Sequence, residues 1–229
     1  MKHHLTHSQV SESLPLGILL AIVGGFLEAY TFLSRGGVFA NCETGNLVLL
    51  ALYLAQGEFR RAVVYLPPIA AFFCGVLLTN KIRCAAAPHP RLHWRQITIL
   101  FEALCLVLVA FVPYGRYDIV VTTLISFVCS IQVQSFRKIR GSVCATTMCT
   151  GNLRSAADSL YAGLSKKDTA ACSRARQHLC VVAVFMLGAV LGTLCTKVLQ
   201  EKSVLVCCLP LLTAFWMMFF RPVSPAESA

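Results

Sequence analysis

Long, uninterrupted apolar runs dominate the chain, and polar residues gather between them instead of alternating with them. Six stretches approach or exceed the roughly 17–25 helical residues needed to cross a hydrocarbon core. They are Leu16–Leu33, Ala62–Thr79, Ile97–Pro113, Tyr117–Ser135, His178–Leu199 and Ser203–Phe220. Strands of a membrane barrel would alternate over about ten residues, so continuous runs predict helices. The expected fold is all-α: a polytopic membrane helix bundle of about six transmembrane helices. The fourth run is polar for a span, the third is interrupted by Glu102, and Pro67-Pro68 and Pro210 would kink the second and sixth. The first run starts close to Met1, but its leader carries one Lys and no Arg, and no clean A-x-A site follows. It therefore reads as a retained span and not as a cleaved signal peptide.

Composition strengthens the membrane reading. Of 229 residues, 57% are hydrophobic and 13% charged, with a mean hydropathy of +0.70. Soluble domains run about 45–50% apolar and about 25% charged, and a chain this oily is neither disordered nor a small disulfide scaffold. The net charge of +10 would suggest nucleic acid on a soluble protein. Here it marks topology, because cytoplasmic loops collect Lys and Arg. With six spans, fourteen of the twenty basic residues fall on the side shared by both termini and the second and fourth loops. Both termini are expected in the cytoplasm, in a cell (inner) membrane. The basic clusters Arg137–Arg140 and Lys166–Arg176 read as inside markers or anionic-lipid contacts.

The chain also repeats itself. Thr44-Gly45-Asn46-Leu47 recurs 106 residues later as Thr150-Gly151-Asn152-Leu153. At the same offset Leu54, Gly57 and Arg60-Arg61 match Leu160, Gly163 and Lys166-Lys167; upstream, Arg35-Gly36 answers Arg140-Gly141 with one residue inserted. Gly75–Thr79 resembles Gly192–Thr196. Each half reads span, short TGN-led helix, basic turn, span, span. This divides the chain into a leader (1–15), a first membrane repeat (16–113), a second (114–220) and a tail (221–229), in one membrane domain.

The helix after each motif is short: Gly45–Ala55 would extend about 16 Å, half-way across a bilayer. Thr44 or Asn46 is a natural N-cap. Such a helix either lies in the interface or re-enters the protein with its partly positive N-terminus inward. Three spans separate the two motifs, so they enter from opposite faces, the plan of an inverted-topology repeat. Arg154 and Asp158 in the second copy, Leu153–Leu164, suit an interfacial or bundle-buried helix better than a lipid-facing one.

The runs Gly25-Phe-Leu-Glu-Ala-Tyr-Thr-Phe-Leu33, Gly36-Gly-Val-Phe-Ala-Asn41 and Thr44-Gly-Asn-Leu-Val-Leu-Leu50, with Cys149-Thr-Gly-Asn-Leu153, resemble the YoaK-type family of multi-pass bacterial membrane proteins. The resemblance covers nearly the whole chain and implies a membrane bundle, with no established substrate. Two positions depart from the family pattern: Glu28 stands where Asp is common, and Glu43 where an uncharged residue is expected.

Few residues offer chemistry. A charged group at the centre of a span costs about 2.5–3.5 kcal/mol on insertion scales, so Glu28 should face the bundle. It reads either as a proton or cation coupling site or as a buried carboxylate bonded to a neighbour. Gly17, Ala21, Gly24, Glu28 and Thr31 form a small, polar face on which another helix could close. Thr122, Ser126, Ser130 and Gln134 make a stripe with Gln132 adjacent, lining a wet path or bonding helices together. Gln132 and Gln134 also fall near the repeat counterpart of Glu28. Glu102 is expected to snorkel to the surface. Gly75, Gly188 and Gly192 read as helix-packing positions.

No P-loop, G-x-S-x-G, H-E-x-x-H or dinucleotide turn appears. The twelve cysteines show no C-x-x-C or His-paired metal spacing. The expectation is a non-enzyme without cofactor or metal. Its partners would be the lipid bilayer and a small-molecule or ion solute, not nucleic acid, in a fold compatible with a homo-oligomer. The candidate solute site is Glu28, Thr44, Gly45, Asn46, Thr150, Gly151, Asn152, Gln132 and Gln134. The leading reading is a transporter or channel-like permease for a small solute; the other is a non-transporting membrane scaffold or partner subunit.

Overall fold

The computed structural model describes residues 10–85 and 93–220. The charge and histidine positions at Lys2, His3, His4, His7, His89, Arg91 and Arg221, most of the leader and the tail lie outside them. The described chain is helical apart from a small hairpin. Four segments are long and apolar enough to cross a membrane: Leu14–Ser34, Phe59–Cys84, Asp118–Ser135 and Thr169–Phe219.

Helix α1 (Leu14–Ser34) starts at Ser13, whose hydroxyl accepts the Leu16 N–H at 3.4 Å. Helix α2 is Glu43–Ala55. Helix α3 (Phe59–Ala62) passes through a 3₁₀ turn, Val63–Tyr65, into α4 (Leu66–Ala85), so this segment exceeds the sequence expectation at both ends. Pro67 and Pro68 stand in the first turn of α4. They remove the donors that Val63 and Val64 carbonyls would take in an α-helix, and the chain tightens to 3₁₀ there instead of kinking mid-span. Pro210 likewise sits in the first turn of α9 (Cys208–Phe220), after a long 3₁₀ stretch, Gln200–Cys207. The sixth run is therefore a short α-helix behind a tighter one.

Helix α5 (Trp94–Val109) starts three residues before the expected span and stops before Pro113. It opens with a capping box, His93 bonding the Arg95 N–H and Gln96 reaching back to the His93 N–H. Helix α6 is Asp118–Ser135. Strands β1 (Lys138–Ile139) and β2 (Ser142–Val143) form a hairpin turned by Arg140-Gly141. Helix α7 (Cys149–Lys166) has 18 residues, longer than expected. Helix α8 (Thr169–Leu199) begins nine residues before the expected span, because Asp168 caps it by accepting the Ala170 and Ala171 N–H groups.

Two parallel pairs organise the bundle. Helix α1 packs along α8, with Gly188 against the Ile22 backbone and Gly192 against the Phe26 backbone. Helix α4 packs along α6, with Gly75 against Phe127 and Ser130. A methyl group at any of these three glycines would collide with the facing helix. Helices α5 and α9 pack on each other, and each also flanks one pair.

The bundle thus has two ends. At one, α1 begins, Gln134 of α6 meets Asn80 of α4 at 2.6 Å, and the hairpin and the α7–α8 turn lie. At the other, Arg35 after α1 is fully buried and bonds Asp118 at the start of α6, the Val112 and Pro113 carbonyls and the Tyr30 hydroxyl. Lys81, Arg83, Arg95, Arg137, Lys138, Arg140, Arg174 and Arg176 sit toward the first end.

Candidate central site

The two TGN motifs each follow a loop that folds back into the bundle. After α1 the chain reverses at Gly36 (φ 83°) and Gly37 (φ 73°), left-handed conformations that favour glycine. It then returns along α1 until the Asn41 N–H donates to Glu28 Oε2 at 2.9 Å. Glu28 is six residues from the end of α1, so the loop descends about 9 Å before α2 starts. Helix α2 then heads back to the Arg35 end, where Tyr65 beyond it reaches the Gly37 carbonyl. In the second half Thr147 reaches Gly24 of α1, and α7 runs toward the opposite end, where Gly163 meets Cys172.

Neither Thr44 nor Asn46 is an N-cap. Helix α2 begins at Glu43 after Cys42, with no side-chain cap, and α7 begins after Met148 in the same way. The asparagines instead hold the returning loops. Asn46 is buried; its Nδ2 donates to the Phe39 carbonyl at 3.0 Å while its Oδ1 accepts the Phe39 N–H at 2.9 Å. Asn152 is buried too, and its Nδ2 donates to the Ala145 carbonyl at 2.6 Å. Each asparagine grips the residue seven positions earlier. The second adds His178 Nδ1 at 3.2 Å from Oδ1.

Thr44, Thr150 and Gly151 are exposed, and Gly45 packs against the Phe39 ring. Helical phase explains the division: with Asn46 and Asn152 turned inward, residues one or two positions earlier turn out.

Glu28 is 9% exposed and closely surrounded by the backbone amides of Ala40, Asn41 and Cys42. A carboxylate lost from water thus recovers hydrogen bonds from a loop of its own half. Its second oxygen has no partner among the described residues. The small face around it is closed by the second half's loop, Ile139 on Gly17 and Thr147 on Gly24, as well as by α8 at Gly25. Cys42, just before α2, and Cys149, the first residue of α7, both lie within electrostatic reach of Glu28.

The α6 stripe divides. Ser130 and Gln134 face α4, Thr122 bonds its own helix, and buried Ser126 has no partner among the described residues. Gln132 faces α1, donating to the Leu20 carbonyl at 3.2 Å, so Gln132 and Gln134 do not share one site.

Glu102 does not reach the surface. It is 2% exposed at the middle of α5, and buried Cys129 lies within reach of it, of Glu28 and of the Asn41 side chain. Its depth follows from the early start of α5 at Trp94, which places just over two turns before it. Sequence reading missed Asn41 and Thr147, which only the folded-back loops bring to α1, and Cys129, which the packing of α6 places there.

Large apolar side chains such as Phe73, Met186, Val190 and Leu209 are exposed on the outer faces of the long apolar segments. With a buried polar interior, this defines an integral membrane protein of the helical-bundle class. The chain belongs to the DUF1275 family, described as of unknown function, whose sequence model matches residues 16–217. The YoaK-type resemblance agrees with that membership. No curated protein and no solved structure matches the chain.

Proposed function

We propose that the protein is a transporter or channel-like permease for a small solute. It would have six spans in two inverted repeats, α2 and α7 as re-entrant half-helices, and both termini in the cytoplasm of the cell membrane. The observation that carries this reading is the exchange of helices between halves. The first helix of each half packs along the post-motif helix of the other: α1 on α8, α6 on α4. The two motif loops, each held by its asparagine, meet beside Glu28.

Such a seam between repeats is where transporters place their sites. Among the described residues, buried polar atoms without a partner include one oxygen each of Glu28, Asn41, Glu43, Glu102 and Gln132 and the hydroxyls of Ser126, Thr146 and Thr147. The carboxylate and amide oxygens accept while the hydroxyls can do either, so a solute there would be held by hydrogen bonds. Arg154 and Asp158, a 3.9 Å exposed pair, lie on α7 toward the basic end, outside this interior.

The test uses Thr44→Cys and Thr150→Cys in a background lacking accessible Cys. Impermeant thiol reagents should reach residue 44 from outside and residue 150 from inside; same-side labelling ends the inverted arrangement. Flux into proteoliposomes that is unchanged by Glu28→Gln removes Glu28 from the mechanism. The scaffold reading draws on one observation: the Asn46 and Asn152 amides are occupied by backbone carbonyls. It requires Asn46→Ala and Asn152→Ala to impair assembly with no separable transport defect.

A further inference from the structure

The two arginine-glycine pairs repeat in sequence but differ in setting: Arg35 caps the end of α1 and is fully buried, whereas Arg140 turns the hairpin and is exposed. Arg35 has an internal carboxylate, Asp118 at 3.0 Å, on the residue that opens α6. Counting back the spacing that separates Arg140 from Arg35, the counterpart of Asp118 is Ser13, the uncharged N-cap of α1. Arg140 holds a left-handed turn position (φ 49°), uncommon outside glycine, and its N–H donates to the Glu12 carbonyl at 2.7 Å. The hairpin therefore fixes this arginine next to the start of α1.

Where the first half places a carboxylate, the second leaves a cavity of about 270 Å³ lined by Leu14, Arg140, Ser173, Arg176, Gln177 and Cys180. Gln177 is committed to the Ile139 carbonyl at 2.9 Å, which ties α8 to the hairpin and keeps the two arginines on one cavity. Among the described residues neither arginine has an acidic partner; the nearby Arg174 pairs with Asp168.

We infer that this cavity binds a phosphate-type anion, with Arg140 and Arg176 as its ligands, in the place that Asp118 fills for Arg35. Its position supplies the form of the anion. The cavity opens where the apolar bundle ends and the basic loops begin, with Leu14 and Cys180 on its apolar wall. An anionic phospholipid would put its phosphate between the guanidinium groups and its acyl chains along that wall. The site rests on two exposed arginines sharing one cavity without an acidic partner among the described residues, and not on transport.

The test is native mass spectrometry of the full chain released from nanodiscs containing phosphatidylcholine and phosphatidylglycerol. Wild type should retain phosphatidylglycerol preferentially. Arg140→Gly, which suits the left-handed turn, and Arg176→Gln should each weaken retention by roughly fivefold, the factor for one basic contact to an anionic lipid. Ser13→Asp keeps a capping side chain and restores the missing carboxylate. It should abolish the preference and raise the Tm in pure phosphatidylcholine. A Tm increase with inorganic phosphate in detergent, lost in the same variants, would identify a free oxyanion as the source. Equal retention of both lipids by wild type with no phosphate response overturns the site, as does a preference that survives Arg140→Gly and Ser13→Asp.

Discussion

Replacing Asn46 with Ala tests whether the motif asparagine is a structural clamp. The change deletes an amide that bonds both backbone groups of Phe39, at 2.9 and 3.0 Å, and also reaches Glu43 at 3.1 Å. A buried donor or acceptor stripped of its partner costs about 1–3 kcal/mol. Phe39 is half-buried, so the lower half of that range applies to each group, giving about 3 kcal/mol in all. Asn152→Ala orphans one backbone carbonyl and a histidine contact, and should cost about 2 kcal/mol. Thr44→Ala and Thr150→Ala remove exposed hydroxyls and should stay within about 0.5 kcal/mol of wild type. Reversible unfolding in mixed micelles with increasing SDS, followed by circular dichroism, gives the ranking. The clamp is refuted if Asn46→Ala is as stable as wild type, or if the threonine variants lose as much.

Glycine substitutions should separate by their surroundings. Gly188→Ala meets the Ile22 backbone, which cannot yield, and should cost about 1–3 kcal/mol. Gly151→Ala enters open space on a helix and should stabilise by up to about 1 kcal/mol; the same unfolding assay reads both. Arg35→Ala leaves Asp118, two carbonyls and the Tyr30 hydroxyl without their cation, and should destabilise by about 3–5 kcal/mol. Asp118→Asn should cost less, because Asp118 retains some solvent contact. His93, at the head of α5, is held below its ordinary pKa by burial and by Arg95. Its neutral ring accepts the Arg95 N–H, so its contribution is complete above about pH 6.5, the unfolded value, and is lost as pH falls through the lower folded value. Protection of the amides of residues 95–97, measured against their intrinsic exchange rates, should fall over that window in wild type and not in His93→Asn.

The long apolar helices were legible because a helix in a membrane bundle is apolar whether it faces lipid or, like α1, the interior, and Leu16–Leu33 differs from α1 by only a few residues. Their ends were less so. Helix α8 begins at Thr169, capped by Asp168, in a polar stretch that hydropathy cannot assign, and the sixth run hides a 3₁₀ segment that only the position of Pro210 hints at. For the site, the motif and Glu28 stand out in the sequence, but their relation does not. Glu28 is bonded to Asn41, in a loop whose return depends on the left-handed Gly36-Gly37 turn and on Asn46 gripping Phe39. The depth of Glu102 was misjudged by the three residues at which α5 starts early. The Arg35-Gly36 and Arg140-Gly141 echo was visible; that one arginine has Asp118 and the other a cavity is a tertiary fact.

The packing of α1 against α8 also sets a schedule for biogenesis. The glycine-lined face of α1 is made first, but its main partner emerges about 150 residues later, which at about 5–20 residues per second is a wait of about 8–30 s. During that interval Glu28 need not stand alone, because the loop that bonds it is only 13 residues downstream. The chain can thus settle its one deeply placed charge of α1 early and close its helix seam late. A newly inserted first half would expose a long groove of small residues in the bilayer. Truncated or stalled chains are therefore the form of this protein most prone to pair with the wrong helix.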